Sequence, residues 1–307
     1  MRNDLESAAA RPDGLIMHQT TMLPHRAITI IPAHEIPLSE QADVFAEAFK
    51  GYVGGSIAMD SATLASFLRS QGIDLCYSRF ARDSEGLCGF GYIARVGDLC
   101  RLSGMGVIAR TRRLGVARTL LLRLIEEARA RSDRAMLLEV IEQNPAALAL
   151  YRSEGFRETA KLLGWRRKPG PLSGSSAPGQ RPQIISAASA GQLSSTLEFP
   201  QLPWQISRHA IVRLTNPRAY SSGDAVVVFD HPIRTSQIRV SALFSTVGDR
   251  PDWSAFRELF GRVLQHFYLE GEVFAPPIFP EIFGEEIFSR FGFVQEPLRQ
   301  YLLRREL

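Results

Sequence analysis

At 307 residues, with 45% apolar and 22% charged side chains, the chain has ordinary globular composition and length enough for two domains with their own cores. No run approaches the ~20 uninterrupted apolar residues of a membrane-spanning helix, and 36 basic against 32 acidic residues leave a formal charge of +4, too mild and too local to require nucleic acid or a membrane surface. Residues 1–26 carry acids and polar groups where a secretory signal needs an apolar core, so they are expected to form a flexible, untargeted leader on a cytoplasmic protein.

From residue 27 to 168 helical and strand patterns alternate. "AITIIPA" predicts a strand, and "LSEQADVFAEAFKGY" a helix with Val44, Phe45, Ala48 and Phe49 at helical spacing. The runs "DLCYSRFAR", "GLCGFGYIARV" and "LCRLSGMGVIA" predict an antiparallel meander whose first turn is "DSEG", Asp83 to Gly86. Each run carries one cysteine, Cys76, Cys88 and Cys100, read as buried free thiols in preference to redox or metal chemistry; no metal site is expected. A long helix, a strand "RAMLLEVIE", a short helix "NPAALALYRSEG" and a strand "FRETAKLLGWRR" complete the segment.

The long helix begins in "RTRRLGVARTLLLRLIEEARARSDRA", Arg110 to Ala135. A loop leaving a strand and entering a helix presents unpaired N–H groups and the positive end of the helix dipole, which together suit an anion. Gly115 lets the backbone turn, Ala117 permits close approach, and Arg112, Arg113 and Arg118 can add charge, so a pyrophosphate fits. Solvated arginines at an ordinary helix start would read the same way. In "LEVIEQNPAALALYRSEGF", Asn144 and Pro145 make a good helix start and Gly155 a good stop, while Tyr151 lies seven residues after the Asn; by those rules alone Tyr151 could be plain core.

Taken together, R-x-x-G-x-A (Arg112, Gly115, Ala117) and N-x-x-A-x-x-L-Y-x-x-x-G-F (Asn144, Ala147, Leu150, Tyr151, Gly155, Phe156) resemble the GNAT superfamily of acyl-CoA-dependent N-acetyltransferases, over about 140 residues. The resemblance implies an α/β (α+β) acyl-CoA N-acyltransferase fold, a mixed central sheet flanked by helices, and acetyl-CoA as the acyl donor. By position it implies that backbone amides of Arg113, Leu114, Gly115, Val116, Ala117 and Arg118 grip the pyrophosphate, that Met105, Gly106 and Val107 pair with the pantetheine arm as an added strand, and that Asn144 touches the pantetheine. It also makes Tyr151 the candidate general acid for the departing thiolate. Glu139, twelve residues before Tyr151, matches the spacing of the ribosomal-protein alanine acetyltransferases and is one candidate base; Glu142 is the other. The acceptor, a primary amine of a small molecule or peptide, is expected against "AFKGYVGG", where Phe49 and Tyr52 could stack on an amine or belong to the core and Gly51, Gly54 and Gly55 loosen the loop. An acyl-CoA-binding sensor or scaffold without transfer is the alternative reading, and association into a homodimer stays open.

A Pro/Gly/Ser-rich run between Arg167 and Pro182 predicts a solvated linker at 169–182, and residues 183–307 read as a second, degenerate copy. "QIRVSALFSTVG" and "DWSAFRELFGRVLQHFYLEG" mimic strand then long helix, and "EEIFSRFGFVQEPLRQYLLRREL" aligns with "LALYRSEGFRETAKLLGWRR" through the shared Gly-Phe, putting Phe288 in place of Tyr151 and Glu281 in place of Asn144. The junction "STVGDRPDW" has Asp249, Asp252 and Trp253 where the first copy has Gly115 and Ala117, which argues for one coenzyme site per chain, independent of the second domain. "LPWQISRHAIVRL", Leu202 to Leu214, is expected to pack on the first domain or shape its acceptor cleft.

Overall fold

Punctuation residues set the ends of most elements. In the computed structural model, which describes residues 20–23, 26–52, 54–55, 58–172, 181–193, 203–206, 208–231, 237–245 and 253–307, the chain opens with strands β1 (Thr20–Leu23) and β2 (Arg26–Pro32) and helices α1 (Leu38–Ala48) and α2 (Ser61–Gln71). Strands β3 (Ile73–Asp83), β4 (Gly86–Val96) and β5 (Leu99–Val107) form the meander. Helix α3 (Val116–Ala130), strand β6 (Ala135–Ile141), helix α4 (Pro145–Ser153) and strand β7 (Arg157–Arg167) follow. The β3–β4 turn is the expected one: the Asp83 carboxylate accepts from the Glu85 amide at 2.9 Å, and Gly86 takes φ +123°.

Two departures belong to this half. Thr20–Leu23 is not leader but an edge strand, paired antiparallel with β2, while residues 1–19 and 24–25 of the expected leader lie outside the described residues. Helix α2 was not foreseen, although its signals are present: the Asp60 side chain caps it by accepting from the Thr63 amide at 2.7 Å, and Gly72 stops it at φ +66°. Its apolar residues are few, with only Leu64 and Leu68 buried, so the periodicity is faint.

The second half repeats the order as β8 (Gln183–Ile185), α5 (Ala187–Leu193), α6 (Arg208–Ile211), β9 (Pro217–Ser222), β10 (Ala225–Asp230), β11 (Ile238–Ser245), α7 (Trp253–Phe267), β12 (Val273–Pro280), α8 (Glu281–Glu286) and β13 (Val294–Glu306). All strands join one 13-stranded sheet in the order β1-β2-β3-β4-β5-β6-β13-β7-β12-β11-β10-β9-β8. Outward from its centre the order is palindromic. The last strand of each half sits in the slot next to the other half's parallel pair: β13 lies antiparallel against β6, and β7 antiparallel against β12. The expectation of two separately folded units therefore gives way to two halves interlocked by exchanged strands, an arrangement that also leaves neither β6 nor β7 as an open edge.

Alternation along β4 sorts the helices. Phe90 and Phe45 of α1 stack with centroids 5.1 Å apart, whereas a Cβ on Gly91 would stand 2.6 Å from Leu124 of α3, so α1 and α3 cover opposite faces. Leu148 and Tyr151 of α4 join the cluster that contains Leu121 and Leu124, placing α4 on the α3 side. Cys88 and Cys100 are buried as expected, and burial pushes the Cys100 thiol up to about 12; Cys76, against expectation, is exposed, because β3 turns it away from both cores. The expected linker begins packed rather than solvated: the Gly170 amide donates to the Leu269 carbonyl at 2.9 Å and Leu172 is buried; residues 173–180 lie outside the described residues. Of the 202–214 stretch, Ile206 and Ile211 belong to the second half's core, while Arg213 reaches across to Gly72 of the first.

Candidate active site

Strand divergence creates the site. Parallel pairing of β5 with β6 runs from Leu99↔Ala135 only to Leu102↔Leu138. Beyond it Ser103–Val107 stays hydrogen-bonded to β4, and β6 continues beside β13, so a gap opens between them. The edge of β5 facing that gap has backbone donors and acceptors with no strand partner. Gly106 lies on this edge because α1 comes close: a Cβ there would be 2.9 Å from the Ala48 Cβ and 2.9 Å from the Phe90 ring.

At the end of β5 a 3-10 turn, Ala109–Thr111, leads into the loop before α3. Arg113 and Gly115 both adopt left-handed backbone, at φ +63° and +86°. Among the described residues no backbone carbonyl takes the amides of residues 113–118; the first bond of the helix is from the Thr119 amide to the Gly115 carbonyl, at 3.0 Å. Six successive N–H groups at a helix start are thus without a backbone partner among the described residues. Leu114 supplies an amide, but its side chain is 45% exposed and outside the groove.

A groove of about 610 Å³ joins these parts. It brings together Phe49 and Tyr52 after α1, Met105, Gly106 and Val107 of β5, Arg112, Arg113, Gly115, Val116, Ala117 and Arg118 of the loop, and Asn144 and Tyr151 of α4. Lys50, Thr111 and Gln143, not singled out from the sequence, also line it; Lys50 and Gln143 adjoin singled-out residues, the only signal they carried. Four of the lining residues are basic and none is acidic, a balance suited to an anionic ligand. The arginines are not equivalent. Arg112 donates to the carbonyls of Val107 (3.1 Å) and Ala48 (2.9 Å), and so fastens the loop to β5 and α1. Arg118 pairs with Glu154 at 2.9 Å, and Arg110 with the buried Asp83. Arg113 has no such partner among the described residues.

Asn144 accepts from the Ala147 amide at 3.2 Å, which caps α4, and it also hydrogen-bonds the Tyr52 side chain. Burial raises the Tyr52 phenol pKa, partly offset by that bond. Tyr151 is 7% exposed, its ring edge-on to Phe156 at 5.8 Å; burial, with a smaller contribution from Tyr52, raises its phenol above the ordinary range. Phe49 is at once core and wall: it packs on Phe45 with centroids 4.7 Å apart and meets Tyr52 edge-on at 5.0 Å.

The two candidate bases are not in the groove. On β6, Glu139 points to the opposite face of the sheet from α4, where its Oε2 accepts from Arg101 Nε at 2.8 Å and Nη2 at 2.5 Å; the two side chains are 3% and 5% exposed. A carboxylate held in this way is a structural partner of Arg101 and does not reach an acceptor amine. Glu142 is bound by Arg299 at 2.8 Å and by the Tyr301 hydroxyl at 2.8 Å. Neither candidate base is among the groove's lining residues, for reasons that spacing cannot show: Glu139 lies on the other face of β6, and Glu142, in the turn after β6, is held by β13.

In the second half, aromatic side chains occupy the corresponding described positions. Parallel pairing of β11 with β12 again stops early, after Arg239↔Phe274. There, however, Trp253 at the start of α7 packs edge-on against Phe283 of α8 at 5.1 Å, and Phe288, in the Tyr151 position, is fully buried against Trp165, Phe260, Phe279 and Phe293. Asp249 and Asp252 lie outside the described residues. No described helix is long and apolar enough to cross a membrane.

Residues 47–156 match the Acetyltransferase (GNAT) family. No curated protein matches the chain in sequence. Among solved structures, a candidate acetyltransferase from Pyrococcus horikoshii superposes with a TM-score of 0.63 at 14% identity, covering 95% of this chain and 92% of that one. A GCN5-related N-acetyltransferase from Kribbella flavida gives 0.60 at 15% identity, covering 92% and 71%. A tandem GNAT protein from the clavulanic acid biosynthesis pathway gives 0.57 at 16% identity, covering 91% and 98%. The matched segment contains the diverging strands, the amide-lined loop and Tyr151: residues 47–156 are similar to a GNAT acetyltransferase domain, and the whole chain shares its fold with a tandem GNAT protein.

Proposed function

We propose that the protein transfers the acetyl group of acetyl-CoA to a primary amine of a small molecule or peptide, by direct attack within a ternary complex. The observation that carries this reading is the juxtaposition, in one carboxylate-free groove, of diverging strands, six unbonded amides and the Tyr151 phenol. These features fit coenzyme A: a pyrophosphate suits the amides of residues 113–118, and a pantetheine arm, itself amide-containing, suits the edge of residues 105–107 that lacks a neighbouring strand. When bound, acetyl-CoA supplies the electrophilic thioester carbonyl. Asn144 fixes the α4 wall of the groove and the Tyr52 ring beside it. Tyr151 keeps its proton at any physiological pH, because burial raises its pKa, and so is able to donate to a departing thiolate. Phe49 and Tyr52 wall the acceptor side. Among the described residues no glutamate or aspartate lines the groove, which fits an amine taken up in its neutral form or losing its proton to water.

A panel of amines and peptides assayed for free-thiol release tests the reading. An acceptor that raises turnover well above hydrolysis, with acetylated amine found by mass spectrometry, supports it. Tight coenzyme A binding with no acceptor in the panel active would favour the sensor instead.

A further inference from the structure

The turn that builds the α4 wall of the groove is held from outside its own half. After β6 the chain passes through Glu142 and Gln143 to Asn144, and Gln143 and Asn144 both line the groove. The Glu142 amide donates to the Arg299 carbonyl at 2.9 Å, and the Gln143 side-chain amide donates to the Pro297 carbonyl at 2.9 Å. The Glu142 carboxylate takes the Tyr301 hydroxyl on one oxygen at 2.8 Å and the Arg299 guanidinium on the other at 2.8 Å. Of its cationic neighbours only Lys161, at 3.9 Å, comes from the first half. Pro297 is free to face this turn because the β13–β7 register breaks between Gln295 and Arg299. Farther along β13, Arg305 lies near Gly155 and exerts an electrostatic pull on Glu154, which is the partner of Arg118 in the amide-lined loop. The exchanged strand thus meets both ends of α4.

We infer that Arg299 and Tyr301 of β13 are positioning residues for the coenzyme groove: by clamping Glu142 they fix the Glu142–Asn144 turn, so the degenerate half completes the site of the other. This rests on the coenzyme A reading, and it runs against the expectation that the site is independent of residues 183–307. Three of the four contacts of the Glu142–Gln143 segment with β13 involve Arg299 or Tyr301: a backbone hydrogen bond to the Arg299 carbonyl, a hydrogen bond from the Tyr301 hydroxyl, and the ion pair with the Arg299 guanidinium.

Coenzyme A binding by calorimetry, with no acceptor present, is the test. Tyr301→Phe and Arg299→Ala should each raise the coenzyme A Kd about 3-fold to 30-fold. In turnover they should raise KM for acetyl-CoA more than they lower kcat, and Arg299→Lys should recover part of the loss. Leu302→Val, on the same strand but buried in a separate cluster with Leu137 and Leu162, should lower Tm and leave Kd within about twofold. Parent-like Kd in both clamp variants would overturn the inference, as would an equal loss in Leu302→Val, which would show a general effect of strand stability. If the parent itself bound no coenzyme A, the proposed function would fall first, before any variant was compared.

Discussion

Removing one oxygen from Tyr151 isolates the proton-donor role. Tyr151→Phe retains a ring that is 7% exposed and packed on Phe156, so the fold should keep its Tm within about 2 °C. The magnitude follows from two opposed terms. An ordinary thiol has a pKa of ~8.5, so passing a proton to its thiolate from a phenol held above ~10 is uphill by at least ~2 kcal/mol. A hydrogen bond to a developing anion in a water-poor groove returns ~1.5–3 kcal/mol, and a positioned acid as a whole contributes about 10²-fold to 10⁴-fold. Because burial raises this phenol and so weakens it as an acid, the lower part of that range applies, and kcat should fall about 10²-fold with coenzyme A affinity unchanged. Single-turnover thiol release with the best acceptor measures it. The sign of the pKa shift adds a second readout: raised above its ordinary value, Tyr151 stays protonated through pH 10, so the parent's rate should show no alkaline decline from this group below that pH. An unchanged single-turnover rate in the variant would remove Tyr151 from the mechanism.

Other outcomes follow from the same geometry. Gly115→Glu should abolish coenzyme A binding by placing a carboxylate among unbonded amides, whereas Gly115→Ala, set against the left-handed φ of +86°, should cost ~1–2 kcal/mol of stability and be visible in thermal melts. Glu139→Gln should lower stability by ~3 kcal/mol, since it leaves the 5%-exposed Arg101 uncompensated, and should leave the acidic limb of the kcat/KM profile in place; loss of that limb at unchanged Tm would restore Glu139 as base. Calorimetry should count one coenzyme A per chain, and two equivalent sites would contradict the aromatic packing at the second half's corresponding positions. Truncation before Val294 should yield aggregating protein, because it uncovers an edge of both β6 and β7.

Local signals in the chain carried local structure well. The β3–β4 turn, the helix starting after Gly115 and the Asn144-capped helix were all legible, since each depends on neighbours within a few residues. The residues assembled in the groove were legible for a related reason: loop amides and a helix start bind through backbone geometry that a short motif dictates. What escaped were properties settled at a distance. Which face of β6 presents Glu139 depends on pairing with β5, and its partner Arg101 is 38 residues away. The roles of Arg112 and Arg118 depend on Ala48, Val107 and Glu154, none of which the motif mentions. The alignment of residues 285–307 with the end of the first half recognised β13 as a copy of β7, yet a copy has two slots available to it, its own or its sister's, and residue patterns within one strand do not choose between them.

That choice of slot is what brings residues 297–301 of the second half against the turn beside the groove. If each half kept its own last strand, the Glu142–Asn144 turn would be braced by β7, and nothing in residues 183–307 would bear on the site. With the strands exchanged, the brace is β13, and the two halves diverge in what they demand of it. Around α8 the corresponding position is packed with the partly buried Trp253 and the buried Phe283 and Phe288. Around α4 the groove must stay open, so apolar filling is unavailable there and the turn is secured by hydrogen bonds and charge from Arg299 and Tyr301 instead. Filling one groove stabilises the half that carries β13; carrying β13 lets the other groove remain empty.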